Sequence, residues 1–253
     1  MNIIDNVNSK TSEMSYLSNN YLGSYLGYQA QLPLLLSEYK FRTKLDVDNY
    51  LKYLDLVCIG TISDIVPLVD ENRVIAKLGL KLIEQTQNIG LRTLLNIANF
   101  KKIDSNAISF GVAPRINACG RMGAQEEALK LFLTEDKQEA LKIAKNLVKF
   151  NQERQNTEKQ IFEDVIQEIE KNNDKEKKCI VLAKENWHHG IIGIVSSKVT
   201  EMYYKPSILI CLEGDMGKGS GRSVPGFDLY NALSKCNNYI EKFGGHSMAI
   251  GIS

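Results

Sequence analysis

Two arginines and an asparagine stand among small residues in APRINACGR, residues 113–121. Guanidinium groups bind phosphate oxygens through two parallel hydrogen bonds, a geometry that a lysine cannot reproduce. Arg115, Asn117 and Arg121, carried on a tight turn, would therefore suit the binding of a phosphate group. The arginines could equally bridge to nearby acids such as Glu126, and the spacing alone leaves both interpretations open.

A further arginine lies among glycines and hydroxyl groups in GKGSGRS, residues 217–223. Glycine lets the backbone approach a ligand closely, and Ser220 and Arg222 point the same way on an extended chain. The segment is not a phosphate-binding P-loop, because Leu212 stands where that motif requires its first glycine. Either a ligand-binding segment or a simple β-hairpin turn fits the pattern.

Two histidines and a glycine precede a helical pattern in WHHGIIGIVSSK, residues 187–198. The free backbone N–H groups of a helix start bind anions, and His188 or His189 would lie beside them. The alternative is structural, with Trp187 anchoring the loop. Zinc is not expected, because no cysteine or carboxylate has a useful spacing.

A single carboxylate, Asp64, lies in the otherwise apolar segment GTISDIVPL, residues 60–68. A carboxylate in apolar surroundings needs a partner, and a metal ion or a helix N-terminus would provide one. Helix capping before Pro67 explains the same residue without a metal, so both interpretations remain open.

The overall composition is that of a globular protein without a dominant charge. The 253 residues are 43% hydrophobic and carry a net charge of +1, so a polyanion would have to bind to a local patch. Five scattered cysteines form no C-x-x-C pair, which predicts a reduced, cytoplasmic protein. The longest apolar runs fall short of the roughly 20 residues of a membrane span, so no membrane association is expected.

The segments with candidate site residues are distributed over a mainly helical first half of the chain and a second half with both helical and strand patterns. Helical periodicity runs from Tyr21 to Phe100 after a weakly patterned start, and APRINACGRM reads as a turn. Residues 135–173 contain no glycine or proline and predict one helix of about 35 residues, or about 50 Å, with Thr134 as its N-cap. Its polar middle, NQERQNTEKQ, is typical of a helix that bridges two bodies, and a coiled-coil arm is the alternative.

Short β-rich runs alternate with helical patterns after the charged NDKEKK hinge. CIVLA, SILICL and GKGSGRS predict strands, and IIGIVSSKVTEMYY and FDLYNALSKC predict helices. A small α/β domain should therefore follow the long helix.

Five segments, in order, resemble the RecJ family of the DHH phosphoesterase superfamily: YLDLVCIGTISDIVPLVDENR, FGVAPRINACGRM, WHHGIIGIVSSKV, GKGSGRS and KFGGHSMAIGI. The resemblance covers the chain from about residue 20 to its end. It implies an exonuclease that degrades single-stranded DNA from the 5′ end in recombination and repair. It also implies Mn²⁺ or Mg²⁺ held between a DHH domain and a DHH-associated domain that a long helix joins.

The resemblance assigns roles to particular residues of this chain. Asp64 matches a metal-binding aspartate, with Asp55 as a second candidate. The remaining matches are to DNA- and phosphate-binding positions: Arg115, Asn117, Arg121, His188, Ser220, Arg222, Ser223, Gly244, Gly245 and His246. The glycine–histidine segment is expected to form a loop that closes over a nucleotide.

The match is incomplete, because the Asp-His-His triplet of the family is absent from this sequence. The resemblance also leaves the family's earlier motifs, an Asp-x-Asp pair and a further aspartate, without a matching segment. The C-terminal OB-fold domain of the family has no counterpart either. We therefore expect a partial α/β protein: residues 1–135 the mostly helical C-terminal part of a DHH domain, 136–175 the linker helix, and 176–253 a truncated DHH-associated domain. The chain would then be a metal-dependent exonuclease of the RecJ type. The alternative is a non-catalytic DNA-binding fragment, or a subunit of a split RecJ that supplies the phosphate-binding half to a polypeptide with the Asp-His-His half.

Overall fold

The computed structural model describes residues 52–253, and the features predicted before residue 52 lie outside this range. The described chain forms two compact units. The first comprises residues 52–114 and Leu131–Ala144, and the second comprises Arg115–Lys130 and Lys145–Ser253. These units do not follow the predicted domain limits at residues 135 and 175, which remain predictions.

The first unit is helical, as the sequence predicts. Helix α1 spans Leu54–Ser63, α2 spans Asp70–Ile83 and α3 spans Ile89–Ala98, followed by a π-helical turn at Ala107–Val112. Gly79 lets α2 approach α1, because a Cβ atom at this position would lie 2.2 Å from the Cβ atom of Cys58. The buried core of this unit includes Cys58, Ile62, Val74, Ile83, Leu91, Leu94, Ile108, Leu131 and Ile143.

The segment APRINACGR is a helix, so the expectation of a turn is wrong. Helix α4 spans Ala113–Arg121 and continues directly from the π-helical turn, and α5 follows at Gln125–Leu133. Pro114 has no backbone N–H and its ring crowds the preceding turn, which the wider π-helical turn accommodates. Glycine and proline were therefore misleading turn signals here.

The long helix α6 spans Lys137–Lys171 and has the predicted length of 35 residues. Its N-terminal cap is Asp136 rather than Thr134, because the Asp136 carboxylate accepts the backbone N–H groups of Gln138 and Glu139. The polar middle is not bare, since Glu158 is only 6% exposed. One stripe of buried and half-buried positions instead continues through polar residues, at Leu147, Asn151, Arg154, Glu158, Ile161, Val165 and Ile169.

The second unit contains a five-stranded sheet with the strand order β1-β2-β3-β5-β4. Its elements are β1 (Ile180–Glu185), α7 (His189–Tyr203), β2 (Ser207–Glu213), β3 (Met216–Arg222), α8 (Leu229–Ser234), β4 (Phe243–His246) and β5 (Ala249–Ile252). Strands β1 and β2 are parallel, and the remaining pairs are antiparallel. This confirms the predicted mixed α/β class, with a small α/β part after the long helix.

Alternating side chains place two apolar clusters against the sheet. Leu209 of β2 packs with apolar residues of α6 and α7, including Val165 and Val195. Ile208 of β2 and Ile250 of β5 pack with α8. Between residues 52 and 253, no helix is long and apolar enough to cross a bilayer.

Candidate functional site

The pair Ser220 and Arg222 on β3 is the starting point of the candidate site. The predicted common direction of the two side chains is realised, because Arg222 Nη1 donates to Ser220 Oγ at 3.0 Å. A second hydrogen bond joins Arg222 Nη1 to the carbonyl oxygen of Gly221 at 2.8 Å. The segment is thus the interior of a strand, and the turn before it lies at Gly214, which has a φ of +61°.

Helix α7 approaches this pair through a glycine. A Cβ atom at Gly193 would lie 3.0 Å from Ser220 Oγ and 3.3 Å from Arg222 Nη2. Any larger residue would press on the two polar side chains. Gly193 therefore leaves space for them beside the first turns of α7.

Arg121, at the end of α4, joins the same site. Its Nη1 donates to the carbonyl oxygen of Gly190 at 3.1 Å. A Cβ atom at Gly190 would lie 2.3 Å from the Arg121 carbonyl oxygen, so the end of α4 packs closely on the start of α7. The pKa of Arg222 is lowered by burial and then by the positive charge of Arg121, so the charge of Arg121 acts at Arg222.

Two further cations and one carboxylate belong to the surroundings of Arg121, and the sequence did not indicate them. Glu158 of α6 contacts Arg154 Nη1 at 2.5 Å and Lys198 Nζ at 2.6 Å. Arg154 Nη2 also donates to Asn151 Oδ1 at 2.6 Å. The pKa of Arg121 is lowered by burial and then by Arg154, and Glu158 opposes both effects.

We call Arg121, Arg154, Lys198 and Arg222 the cation cluster. Glu158 is the one carboxylate between residues 52 and 253 that forms an ion pair with the cluster, so these five residues carry an excess of three positive charges. Like charges that are partly removed from water repel one another, and a bound anion relieves this repulsion. The arrangement therefore favours an anionic ligand such as a phosphate group.

The sheet beside the cluster has an open strip without large side chains. In register across β3, β5 and β4, Ser220 is followed by Gly251 and Gly244, and Arg222 by Ala249 and His246. Residues paired in this way point to the same face. Added Cβ atoms at Gly244 and Gly251 would meet no described residue within 4 Å, so the part of the chain that the structure describes leaves the strip uncovered. We call Gly244, Ala249 and Gly251 the glycine floor.

The glycine–histidine segment lies in strand β4 and not in a loop, so the expected closing loop is wrong. Gly245 is the glycine that the backbone requires, because its φ is +140° and a Cβ atom would lie 2.1 Å from the Ala249 carbonyl oxygen. His246 is exposed at the end of β4, where its Nδ1 accepts the Met248 N–H at 3.3 Å. The glycine–histidine segment therefore forms one strand of the hydrogen-bonded hairpin of β4 and β5.

His188 caps helix α7 rather than contributing a free group. Its Nδ1 accepts the backbone N–H of Gly190 at 3.1 Å, so the imidazole takes the position that an anion would occupy. The pKa of His188 is lowered by burial and by His189, which favours the neutral ring that this bond needs. The structural interpretation of Trp187 holds, since it is buried and its Nε1 donates to Asp164 at 2.7 Å.

Three other predicted residues do not join Ser220 and Arg222 as expected. Arg115 and Arg121 lie six residues apart on a helix, roughly 120° apart around its axis, so they do not form the single clamp of a turn. Asn117 is exposed on the same helix. Ser223 is buried, and its hydroxyl donates to the Phe227 carbonyl oxygen at 2.8 Å.

The described residues do not by themselves fit a complete divalent-metal site. Asp64 is exposed, and its backbone N–H donates to the Gly60 carbonyl oxygen at the C-terminal end of α1, so it is not an N-cap. Asp55 is buried and accepts the Thr86 hydroxyl at 2.5 Å. Between residues 52 and 253, no three His, Cys, Asp or Glu side chains are grouped to hold an ion.

Comparisons with known proteins agree with the motif pattern. Residues 176–253 match the DHHA1 domain family. The single-stranded-DNA-specific exonuclease RecJ of Bacillus subtilis is 38% identical over 204 residues, which are 79% of this chain and 26% of that protein. The magnesium-bound RecJ structure of Thermus thermophilus matches with a TM-score of 0.75 at 32% identity, over 85% of this chain and 33% of that one.

A crystal structure titled as exonuclease RecJ bound to manganese matches with a TM-score of 0.72 at 34% identity, over 80% of this chain and 50% of that one. The chain thus spans between about a quarter and a half of these relatives. Over the length that it spans, these matches confirm the resemblance to the RecJ family of the DHH superfamily, and residues 176–253 form a DHHA1 domain.

Proposed function

We propose that this chain supplies the phosphate-binding part of a RecJ-type exonuclease that degrades single-stranded DNA from its 5′ end. The observation that carries the proposal is the cation cluster, which lies beside Ser220 at the border of the glycine floor. A terminal phosphate would complement the excess positive charge. The name that the relatives share, single-stranded-DNA-specific exonuclease, supports the choice of substrate.

In this proposal the 5′-phosphate binds Arg222 and Ser220, with Arg121 contributing charge from α4. The adjoining nucleotide lies on the glycine floor, where the absence of side chains lets it contact the strands directly. Gly244 and His246 then border the nucleotide on the side of β4. Arg115 and Asn117 contact the DNA backbone farther along α4, whereas Ser223 and His188 act by shaping the backbone around the site.

The proposal includes Mn²⁺ or Mg²⁺, the ions bound in the similar RecJ structures. A bound ion of this kind would supply Lewis-acid chemistry, which polarises a phosphodiester and activates water. Asp64 would supply one ligand, but most ligands would come from an Asp-His-His segment that this sequence does not contain. The alternative is a DNA-binding piece that supplies the phosphate site to a partner with that segment. Roles in DNA recombination and repair, and a cytoplasmic location, are further parts of the proposal.

Binding of short single-stranded oligonucleotides tests the phosphate site directly. Arg222→Ala should weaken binding of a 5′-phosphorylated strand by roughly 10- to 150-fold, because charge-assisted hydrogen bonds contribute about 1.5–3 kcal/mol. The salt dependence should become shallower, by a slope of about 0.7 for each lost phosphate contact. A 5′-hydroxyl strand should respond much less.

Arg73→Ala is the matched control, since Arg73 is exposed on α2 in the first unit. Equal affinities of wild type and Arg222→Ala for the phosphorylated strand would refute the phosphate site.

Release of mononucleotides then separates the two functional alternatives. We expect activity in manganese when the chain is joined or mixed with an Asp-His-His segment, and none with the chain alone. Activity of the chain alone would show that its own residues suffice for metal binding. Strand binding without activity in any combination would favour the non-catalytic alternative.

A further inference from the structure

We propose that Glu158 is the internal counter-anion of the phosphate site, and that it limits how tightly the site holds phosphate. The inference rests on the proposed function and concerns the regulation of that same site. Glu158 would be a positioning residue that acts through the cation cluster and does not touch the substrate.

The carboxylate of Glu158 forms ion pairs with two cations, one at each oxygen. Glu158 is 6% exposed, and its two oxygens contact Arg154 at 2.5 Å and Lys198 at 2.6 Å. Arg154 is held from the other side by Asn151. Two helices thereby direct one arginine and one lysine at a single buried acid, which fixes both cations in place.

The influence of Glu158 extends to the arginine at the end of α4. Positive charge on Arg154 lowers the pKa of Arg121, whereas negative charge on Glu158 raises it. Arg121 in turn acts on the pKa of Arg222. A continuous electrostatic path therefore joins Glu158 to the residues that we assign to phosphate.

A phosphate and Glu158 would consequently compete to neutralise the same cations. With Glu158 charged, the empty cluster is partly compensated and a bound phosphate gains less Coulomb energy. Without that charge, the cluster repels itself more strongly when empty and attracts phosphate more strongly. An exonuclease must release a 5′-phosphorylated product after each cycle, so a moderated affinity serves turnover.

Glu158→Gln tests the proposal, because it keeps the size of the side chain and removes its charge. Inorganic phosphate should bind about 15-fold more tightly at low salt, the value given by Coulomb's law for unit charges about 10 Å apart at an effective dielectric constant of about 20. The variant should also be less stable in phosphate-free buffer, since Arg154 loses its partner. Phosphate should raise its melting temperature more than that of wild type.

Glu163→Gln is the matched control. Glu163 lies on the same helix and changes the net charge equally, but it is exposed and pairs with Lys159 at 3.8 Å. Its phosphate affinity should equal that of wild type. Glu158→Asp, which keeps the charge, should restore an affinity close to that of wild type.

The outcomes distinguish this inference from the proposed function. If wild type and Glu158→Gln bind phosphate equally, Glu158 is a structural ion-pair residue and the inference is overturned. If neither protein binds phosphate, the inference and the proposed phosphate site both fail. If Glu163→Gln also binds phosphate more tightly than wild type, the effect arises from the net charge of the protein and not from the position of Glu158. This result would also overturn the inference.

A second variant keeps the inference testable if Glu158→Gln does not fold. Lys198 is 49% exposed, so Lys198→Gln should be tolerated. It leaves Glu158 to be neutralised by the arginines alone, and phosphate binding should weaken several-fold. Lys159→Gln, which removes an exposed lysine from α6, should leave phosphate binding unchanged. Equal phosphate affinities of these two lysine variants would refute the inference.

Discussion

A larger side chain on the glycine floor should affect the stability of the fold and the binding of single-stranded DNA in opposite directions. Gly251 lies in β5 between Ser220 of β3 and Gly244 of β4, and an added Cβ atom would meet nothing within 4 Å. Its backbone is ordinary, since it is absent from the residues with positive φ. Gly251→Val can therefore be accommodated by the fold, and valine suits a strand better than glycine does.

The expected effects have opposite signs. Glycine within a strand costs roughly 0.5–1 kcal/mol relative to alanine, so Gly251→Val should stabilise the chain by about that amount. A change of about 1 kcal/mol raises the melting temperature of a chain of this size by about 2–4 °C. The same side chain would occupy the space of the nucleotide, and overpacking of about 1–3 kcal/mol corresponds to roughly 5- to 150-fold weaker strand binding.

Thermal unfolding and fluorescence anisotropy with a 5′-phosphorylated single strand measure the two quantities. Inorganic phosphate, which needs the cation cluster but not the floor, should bind almost normally. Ala183→Val is the control, because Ala183 is exposed on the edge strand β1 at the other side of the sheet. Normal strand binding by Gly251→Val would show that no nucleotide lies on the floor. A lower melting temperature would show that the floor is not open.

Two aspartates give further predictions. Burial opposes ionisation of Asp164, but hydrogen bonds from Lys184 and Trp187 outweigh it and lower its pKa. Its ionised form therefore stabilises the fold above the unfolded pKa of about 3.9, and this contribution is lost as the pH falls through the lower folded value. Asp164→Asn should cost about 1–2 kcal/mol in the free energy of unfolding at pH 7 and flatten its dependence below pH 4; unchanged urea unfolding curves at both pH values would contradict this. Asp64→Asn should reduce manganese binding by the chain joined to an Asp-His-His segment, and identical calorimetric titrations would exclude Asp64 as a ligand.

Local sequence patterns predicted much of the fold because they depend on neighbouring residues. An uninterrupted run without glycine or proline was sufficient for α6, and alternation was sufficient for the common direction of Ser220 and Arg222. The same local rules failed at Pro114 and at Gly245. The first continues a helix behind a π-helical turn, and the second lies within a strand.

The cation cluster could not be read from the sequence, because its members come from three helices and one strand. Arg154 and Glu158 lie in the polar segment NQERQNTEKQ, which the sequence analysis interpreted as the middle of a helix that bridges two bodies. A usable signal was present, since both stand in the stripe that is apolar before and after them, at Leu147 and Ile161. A charged pair within such a stripe indicates burial with a partner.

The sequence by itself determined the secondary structure of most of the described chain and the mixed α/β class, and it predicted several residues for a phosphate site. Tertiary structure alone decided that Arg121 lies near Arg222, that Glu158 is buried between two cations and that Gly244 and Gly251 form one open strip. The physical reason is the separation along the chain over which residues must interact. Helix and strand patterns arise from residues within a few positions of each other, whereas the charge and shape of a site depend on contacts between residues that are distant in the chain.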